Sequence, residues 1–503
     1  MMGAGGRTLA PRIQAAIGLF ALAVSACHTH PPRIVPPPPV SAKVGGLQRN
    51  IDAILAAPAL SRGSWGVVVR SLARGDTLYA VNVHKLMMPA STQKVFTLAV
   101  AADQLGWDYT FRTNVLTVGP VEDGVLKGDL VIVGSGDPTF DDWDGFASGR
   151  FAEWATALKA KGIQKIDGRI IGDDNAFDDE TLGPGWGWDD LAASFATGVG
   201  ALQFNQNTAQ LVVMPAALGE PAHVQVTPDA AQLTIRNRTT TGAGPSLSVR
   251  PIPHTSTIEL DGAVAPTSQR TLRNVAVPNA TLYYANAVRI GLIRNGIDVA
   301  GPAVDIDELE APIDRTKAML TTELESKNLT AIATTMMKMS QNLYAETLLK
   351  TIGAHASGVG STAAGRAALD AALAAWGVAA GEVQEVDGSG LSRYNLATPD
   401  ALATVLRHVY EDQRLRASFV STLPSAGVDG TLGERMKGTA AADNVQAKTG
   451  SFTNARSVAG YVRTADDEML EFVVMANHYG APARVIDDAT DAILIALANF
   501  TRK

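Results

Sequence analysis

Ser91 and Lys94 are the first residues whose types and spacing suit catalysis, in the run Ser91-Thr92-Gln93-Lys94. Residues three apart on a helix share one face, so the amine can reach the hydroxyl, and the helix N-terminus favours an anionic intermediate. A serine nucleophile with a lysine base is a variant of the Ser-His-Asp arrangement. The alternative is a helix-capping serine beside a solvated lysine. The apolar residues after Lys94 favour catalysis, because burial holds a lysine toward its neutral form.

Ser340 and Asn342 are a second candidate pair, placed between two stretches of helical spacing. At a tight junction between helices, a hydroxyl can relay a proton and a carboxamide can orient a substrate amide. Taken alone, Ser340 is more typical of a serine that simply caps a helix.

Lys448, Thr449 and Gly450 are the third candidate, followed by Ser451 and a strand pattern. A lysine and a hydroxyl on an edge strand, with a glycine that removes side-chain bulk, suit recognition of a substrate carboxylate beside exposed backbone N–H groups. The alternative is an ordinary strand-edge lysine with a turn glycine. Each motif is common alone, but their order and their fit to a helix, a junction and a strand favour one catalytic site.

Hydrophobic periodicity predicts the elements that position these motifs. The predicted strands lie at 65–70, 77–82, 457–462 and 471–476, and the predicted helices at 91–105, 329–353, 362–376 and 489–500. Because the strands at either end are too few to make a sheet alone, we expect both ends to pair in one sheet flanked by helices. From about 111 to 310, short β-like runs separated by Gly, Pro and Asp predict a β-rich insertion.

The N-terminal residues have the charged, apolar and small-residue layout of a secretory signal. The run Leu22-Ala23-Val24-Ser25-Ala26-Cys27 also resembles a bacterial lipoprotein signal, which predicts lipidation of Cys27. The alternative is cleavage after Ala26 and a soluble exported protein. Residues 1–27 are therefore assigned to a signal with its lipidation site, and 28–45 to a proline-rich, extended linker.

Composition excludes several classes of protein. The 503 residues are 46% hydrophobic and 18% charged, as in a folded globular chain. A net charge of -8 opposes binding to nucleic acid, and a single cysteine excludes an intrachain disulfide or a Cys-based zinc or Fe–S site. The sequence has neither Gly-x-Ser-x-Gly nor His-Glu-x-x-His, so a nucleophile elbow and that zinc motif are absent.

Together the three motifs resemble those of the penicilloyl serine transferase superfamily, in which Ser-x-x-Lys, Ser-x-Asn and Lys-Thr-Gly recur in this order. The chain is most similar to the class C low-molecular-mass penicillin-binding proteins, the D-alanyl-D-alanine carboxypeptidase/endopeptidase family. Further stretches fit that family, for example Asn342-Leu343-Tyr344-Ala345-Glu346 and Asp387-Gly388-Ser389-Gly390-Leu391-Ser392. Gln341 departs from the Asp that many relatives carry and leaves both functional side chains in place.

This resemblance implies an α/β (α+β) fold: a β-lactamase/transpeptidase-like catalytic domain with a central antiparallel sheet flanked by helices, carrying a large β-rich insertion. Residues 46–113 and 318–503 would form the catalytic domain, and 114–317 the inserted domain or domains. The long middle separates this family from class A β-lactamases, whose first two motifs lie far closer together.

The same resemblance implies an exported serine D-Ala-D-Ala carboxypeptidase, with endopeptidase activity left open. Ser91 would form the acyl-enzyme with Lys94 as base, Ser340 would pass the proton to the leaving amine, and Asn342 would bind the substrate amide. The terminal carboxylate would lie at Lys448 and Thr449, on the strand with Gly450, and the backbone N–H groups of Ser91 and Ser451 would form the oxyanion hole.

The implied partners are peptidoglycan stem peptides and, as covalent inhibitors, β-lactams. Neither a metal nor an organic cofactor is implied, nucleic acid is not expected, and the membrane would be contacted only through the lipid at Cys27. The location implied is the bacterial periplasm or cell envelope. Two alternatives stay open: a β-lactamase, and a noncatalytic cell-wall-binding or sensor protein of the same fold.

Overall fold

The structure, a computed structural model, describes residues 41–252 and 255–503 of the chain. Ala42–Lys503 forms one compact unit. The predicted signal segment 1–27, with Cys27, lies outside the described residues and stays a prediction. In the two described ranges, every helix is too short or too polar to cross a bilayer.

The described residues form the following α-helices, and the first of them begins inside the predicted linker. They are α1 (Ala42–Leu55), α2 (Lys94–Leu105), α3 (Phe146–Ala160), α4 (Ala280–Arg294), α5 (Leu329–Lys338), α6 (Asn342–Ser357), α7 (Thr362–Ala375), α8 (Pro399–Glu411), α9 (Gln413–Thr422) and α10 (Ala483–Ala498). α1 begins within the stretch 28–45 assigned to the linker. It forms there because Val44, Leu47 and Ile51 recur at helical spacing and are buried.

Most strands are short, and the two longest, of 9 residues each, lie near the C-terminal end of the chain. They are β1 (Ser64–Ser71), β2 (Thr77–Val81), β3 (Arg112–Val118), β4 (Val121–Glu122), β5 (Val125–Leu126), β6 (Asp129–Gly134), β7 (Lys165–Ile166), β8 (Ile170–Asp173), β9 (Thr208–Met214), β10 (His223–Thr227), β11 (Thr234–Thr241), β12 (Ser248–Pro251), β13 (Thr257–Val264), β14 (Thr271–Ala276), β15 (Asp298–Val299), β16 (Ala303–Asp305), β17 (Ala318–Glu325), β18 (Val383–Gln384), β19 (Leu396–Ala397), β20 (Gln446–Phe452), β21 (Ala455–Arg463) and β22 (Met469–Asn477).

The sheet beside the site has the strand order β2-β1-β22-β21-β20, and its neighbouring strands are antiparallel. β1 pairs with β22, with Val67 opposite Val474, so the expected pairing of the two ends of the chain is confirmed. Val68 packs in the core that contains α2, whereas Val67 and Val69 pack in the core that contains α1 and α10. Side chains alternate across a strand, and helices therefore cover both faces of this sheet.

Helix α2 lies inside the helical core. Every residue from Lys94 to Ala102 is buried, and α2 packs against α5, α6, α7, α8 and α9. The helix has neither glycine nor proline, so its backbone hydrogen bonding is uninterrupted while its side chains are enclosed on all sides. Lys94, the ionisable residue of this buried stretch, is consequently removed from water.

The middle of the chain is β-rich, with the sheet orders β16-β8-β6-β3-β17, β10-β9-β14, β11-β13-β12 and β15-β7-β5-β4. It also contains α3 and α4, which the sequence analysis did not predict. On α3, Phe151, Trp154 and Leu158 are buried at helical spacing. The prediction missed them because the flanking Gly and Asp runs are more typical of turns.

The ends of the middle segment meet, because β3 pairs with β17 and Thr113 lies opposite Leu324. The expected boundary between 113 and 114 falls within β3, and that between 317 and 318 falls at the start of β17. Since Ala42–Lys503 forms one compact unit, its division into a catalytic domain and an inserted domain stays a prediction.

Candidate active site

Ser91 lies in a 3₁₀ turn, Ala90–Gln93, that leads directly into α2. Ala90 adopts a left-handed φ of 48°, which turns the chain sharply before the serine. The Thr92 hydroxyl donates to the Pro89 carbonyl at 2.7 Å, and the Ser457 hydroxyl of β21 donates to the same carbonyl. The turn thus holds a half-buried hydroxyl at a helix N-terminus, where backbone N–H groups favour negative charge.

Lys94 is fully buried, and its Nζ reaches three acceptors. It donates to the Ser91 Oγ at 3.0 Å, to the Asn342 Oδ1 at 2.6 Å and to the Ser389 carbonyl at 2.7 Å. Burial lowers the pKa of Lys94 to about 7, although the negative charges of Glu346 and Asp387 act to raise it. Near neutral pH a large fraction of the amine is therefore unprotonated, with a lone pair that can take the serine proton.

The loop 387–392 supplies the carbonyl that holds Lys94. Glu346 on α6 accepts the backbone N–H groups of Gly388 at 3.0 Å and Ser389 at 2.8 Å. Asp387 accepts the N–H of Gly390 at 2.7 Å. Gly390 has a φ of 83°, and a Cβ there would lie 1.9 Å from the Ala90 carbonyl oxygen, so this loop packs directly on the serine turn.

Ser340 lies in the junction between α5 and α6, in a left-handed conformation with φ 58°. Lys448 on β20 donates to the Ser340 Oγ at 2.8 Å and to the Thr449 carbonyl at 2.7 Å. Lys448 is fully buried, and burial together with the charge of Lys94 holds the pKa of Lys448 well below its usual range. A second amine–hydroxyl pair therefore stands beside the first.

Strand β20 forms one edge of the sheet and lies against the serine turn. A Cβ at Gly450 would lie 2.6 Å from the Pro89 carbonyl oxygen and 2.9 Å from the Ser91 nitrogen, so this approach requires glycine. The Thr449 hydroxyl donates to that of Thr431 at 2.6 Å, and Ser451 is exposed.

The β-rich middle also reaches the site. The Asn342 Nδ2 donates to the Phe195 carbonyl at 2.8 Å, while its Oδ1 accepts from Lys94. The Trp186 Nε1 donates to the Asp387 Oδ2 at 2.9 Å. A backbone carbonyl leaves no signature in a sequence, so the contribution of Phe195 could not be predicted, whereas the run from Asp387 to Ser392 was noted only as a stretch that fits the family.

The structure brings most of the predicted site residues together. Ser91, Lys94 and Asn342 share one hydrogen-bond network, and Ser340 and Lys448 form a second. Thr449, Gly450 and Ser451 continue along β20, on the strand that contacts the serine turn.

Possible metal ligands in the described residues form two clusters, and neither includes a residue of the hydrogen-bond networks around Ser91 and Ser340. The clusters are His84, Glu382 and Asp400, and Asp174, Asp305 and Asp307. In the first cluster, Asp400 already pairs with the Arg70 guanidinium, which competes with a cation for the carboxylate. The expectation that the reaction needs no cofactor stays a prediction.

The chain is similar to known proteins over most of its length. Residues 47–497 match the model of the D-Ala-D-Ala carboxypeptidase 3 (S13) family. A D-alanyl-D-alanine carboxypeptidase of Actinomadura sp. (strain R39) is 34% identical over 481 residues, 91% of this chain and 86% of the relative. D-alanyl-D-alanine carboxypeptidase DacB of Haemophilus influenzae is 27% identical over 446 residues, 86% of this chain and 89% of the relative.

Among solved structures, penicillin binding protein 4 (dacB) from Haemophilus influenzae matches with a TM-score of 0.79 and 25% identity, over 92% of this chain and 100% of that chain. This match confirms the predicted α/β penicillin-binding-protein fold. The family model and the relative from Actinomadura confirm the predicted family and activity class. The chain belongs to the D-Ala-D-Ala carboxypeptidase 3 (S13) family and is a serine-type D-Ala-D-Ala carboxypeptidase.

Proposed function

We propose that Ser91 is the nucleophile of this carboxypeptidase and Lys94 its general base. The observation that carries the proposal is the 3.0 Å contact between the Lys94 Nζ and the Ser91 Oγ, made by a buried amine with a pKa of about 7. The Ser91 Oγ attacks the carbonyl carbon of the penultimate D-Ala as its proton passes to Lys94. The C–N bond then breaks, the terminal D-Ala leaves with a proton delivered through Ser340, and water hydrolyses the acyl-enzyme.

The remaining residues bind and orient the substrate in this proposal. The backbone N–H groups of Ser91 and Ser451 stabilise the oxyanion, an interaction worth about 3 kcal/mol per donor in a comparable enzyme. Asn342 orients the substrate amide. Lys448 and Thr449 hold the terminal carboxylate, and Lys448, which is fully buried and donates to the Thr449 carbonyl, supplies the positive charge. An arriving carboxylate raises the pKa of Lys448 and so favours its ammonium form.

Peptidoglycan stem peptides ending in D-Ala-D-Ala are the proposed substrates, and β-lactams the proposed covalent inhibitors that acylate Ser91. Penicillin binding protein 4 from Haemophilus influenzae has been solved in complex with a β-lactam, and its fold is that of this chain. We also propose export to the cell envelope with lipidation of Cys27, on the residue pattern of 22–27. Loss of labelling by radioactive palmitate in Cys27→Ser would support lipidation, and retained labelling would contradict it.

The function is tested by digesting purified muropeptides and reading the products by mass. Native enzyme should release D-Ala, and Ser91→Ala should release none and bind no fluorescent penicillin while keeping its thermal unfolding transition. Ser421→Ala is the matched control, since that exposed hydroxyl bonds only to the Ser418 carbonyl. Labelling or D-Ala release that persists in Ser91→Ala would move the nucleophile elsewhere.

The same experiment separates the other activities. Cleavage of cross-linked dimers by the native enzyme would add endopeptidase activity. The lifetime of the penicilloyl-enzyme is a separate measurement, and hydrolysis within seconds would add β-lactamase activity to D-Ala release.

A further inference from the structure

A cavity of about 440 Å³ opens beside Ser340 and is not used by the reaction described above. Its walls come from the α5–α6 junction and from the β-rich middle of the chain. The side chains that define it are Trp143, Phe195, Gln206, Gln210, Asn274 and Gln341. The volume lies in the range of small-molecule sites, and one wall is shared with the proposed proton-transfer residue.

Two aromatic rings stand on the rim of this cavity. Trp143 is 52% exposed and Phe195 is 47% exposed. Large rings left this open to water, beside a concave site, are typical of ligand contact surfaces. A flat ring of this kind packs well against the C–H face of a pyranose.

The polar groups of the cavity are carboxamides. The Gln341 amide donates to the Gln206 Oε1, and the Gln210 Nε2 donates to the Asn274 Oδ1 at 3.1 Å. Gln206 is held in a left-handed conformation with φ 55°, which sets its side chain at a defined place on the wall. A carboxamide both donates and accepts, so it matches hydroxyl and acetamido groups.

The charge of a candidate ligand decides whether it suits this cavity. The residues that line the cavity include no ionisable side chain. A second stem peptide brings carboxylates and ammonium groups, whose burial without a partner of opposite charge is costly. An N-acetylated sugar within a glycan strand is uncharged, and its apolar ring face and hydroxyl groups fit the two rings and four carboxamides.

We propose that this cavity is a subsite for an N-acetylated sugar of the glycan strand that carries the stem peptide. The inference rests on the proposed function, because the peptide of the same substrate must reach Ser91 while the sugar occupies the cavity. Ser340 lines the cavity and accepts the 2.8 Å hydrogen bond from Lys448, so the subsite adjoins the reacting groups.

The test compares two substrates that share one stem pentapeptide, one free and one attached to the N-acetylglucosamine–N-acetylmuramic acid disaccharide. Trp143→Ala and Gln206→Ala are measured beside the native enzyme. The control is Met319→Ala, an exposed apolar side chain on β17 outside the cavity. We expect each cavity variant to lower kcat/KM about tenfold for the disaccharide substrate only, with the free peptide and penicillin acylation unchanged.

An equal fall in kcat/KM on both substrates, or no fall on either, would overturn the proposed sugar subsite. A loss confined to a sugar-free cross-linked peptide dimer would assign the cavity to a second peptide instead, and would also overturn it. Binding of the disaccharide alone to Ser91→Ala protein gives a second measurement that does not depend on turnover. The disaccharide should bind, and adding Trp143→Ala to that protein should abolish binding. Failure of the proposed function is distinct, since native enzyme would then release D-Ala from neither substrate.

Discussion

At the scale of single residues, the proposed chemistry depends on two lysines that the fold removes from water. Lys94 and Lys448 are both fully buried and both have lowered pKa values, because burial disfavours the ammonium form; the charge of Lys94 lowers the pKa of Lys448 further. Each is held by hydrogen bonds to a hydroxyl and to a carbonyl, so desolvation does not leave it without partners. This arrangement favours an amine that exchanges its proton near neutral pH.

The first prediction is the pH dependence of acylation. In the proposed mechanism the unprotonated form of Lys94 is the base, and its pKa is about 7, so the rate constant should fall as pH decreases through 7 and the amine becomes protonated. Below the midpoint the loss should approach about tenfold per pH unit. Acylation by a chromogenic cephalosporin, followed from about pH 5 to pH 9 at constant ionic strength, measures this limb. A midpoint near that of an ordinary carboxylate would indicate a different base.

The second prediction concerns Lys94→Arg, which keeps a positive charge that cannot be given up. Acylation should fall nearly as far as in Lys94→Ala, because neither variant can accept the serine proton. Stopped-flow penicillin binding is the measurement, with thermal unfolding to verify that the larger side chain is accommodated. Near-native acylation in a folded arginine variant would make Lys94 a structural residue.

At the scale of elements, the site is a meeting of three backbone segments at van der Waals distance. The serine turn lies between β20 and the loop 387–392, and glycine occurs where each of them touches it, at Gly450 and Gly390. A side chain at either position would displace the turn before it displaced the rigid sheet or α2. The glycines therefore determine how accurately Ser91 faces Lys94.

The third prediction compares two glycines with similar backbone conformations. Gly390 has φ 83° and would place a Cβ 1.9 Å from the Ala90 carbonyl, whereas Gly377 has φ 88° and open space around it. An alanine held in the left-handed region lowers the free energy of unfolding by about 1 kcal/mol at either position. Only Gly390→Ala should also slow acylation, by about tenfold or more, because the loop must move away from the serine turn.

Urea unfolding and penicillin acylation, measured on both glycine variants, check this expectation. If Gly377→Ala slowed acylation as much as Gly390→Ala, the effect would come from general destabilisation, and the contact between the loop and the turn would not be the cause.

At the scale of the whole molecule, the β-rich middle is tied to the catalytic helices. Lys350 on α6 is buried and donates to the Asp178 carboxylate at 2.6 Å. It also donates to two carbonyls, that of Asp178 at 3.2 Å and that of Glu180 at 2.9 Å. The chain then continues to Trp186 and Phe195, which hold Asp387 and Asn342. Anchoring one end of this segment therefore supports two polar residues of the site.

The fourth prediction is that Lys350→Met destabilises the fold by about 2–4 kcal/mol, because it leaves two carbonyls and a carboxylate without their donor. kcat should also fall, since Asn342 loses a fixed partner. Lys437→Met is the matched control: that lysine pairs with Glu434 at 2.8 Å on the surface, where such a pair contributes at most about 1 kcal/mol. Chemical unfolding and D-Ala release measure the two effects. Equal destabilisation by both variants would contradict the anchoring role.

The sequence alone was sufficient to predict the family, the order of the motifs and the pairing of β1 with β22. Ser-x-x-Lys needs only helical spacing to bring its two groups together, and alternating apolar residues identify strands wherever they occur. α3 and α4 were missed because local Gly and Asp signals outweighed a helical pattern that only burial against neighbouring sheets stabilises.

Only the tertiary structure decided which groups surround the reacting atoms. The Phe195 carbonyl, the Ser389 carbonyl and the Glu346 carboxylate reach the site from segments far apart in the chain. Backbone groups are the same at every residue, so no sequence pattern marks the ones that are used. The pKa of Lys94 likewise depends on complete desolvation by elements that pack around α2, which is a property of the assembled fold. Residue types and spacing therefore determined the reaction class, and packing determined the environment in which those residues act.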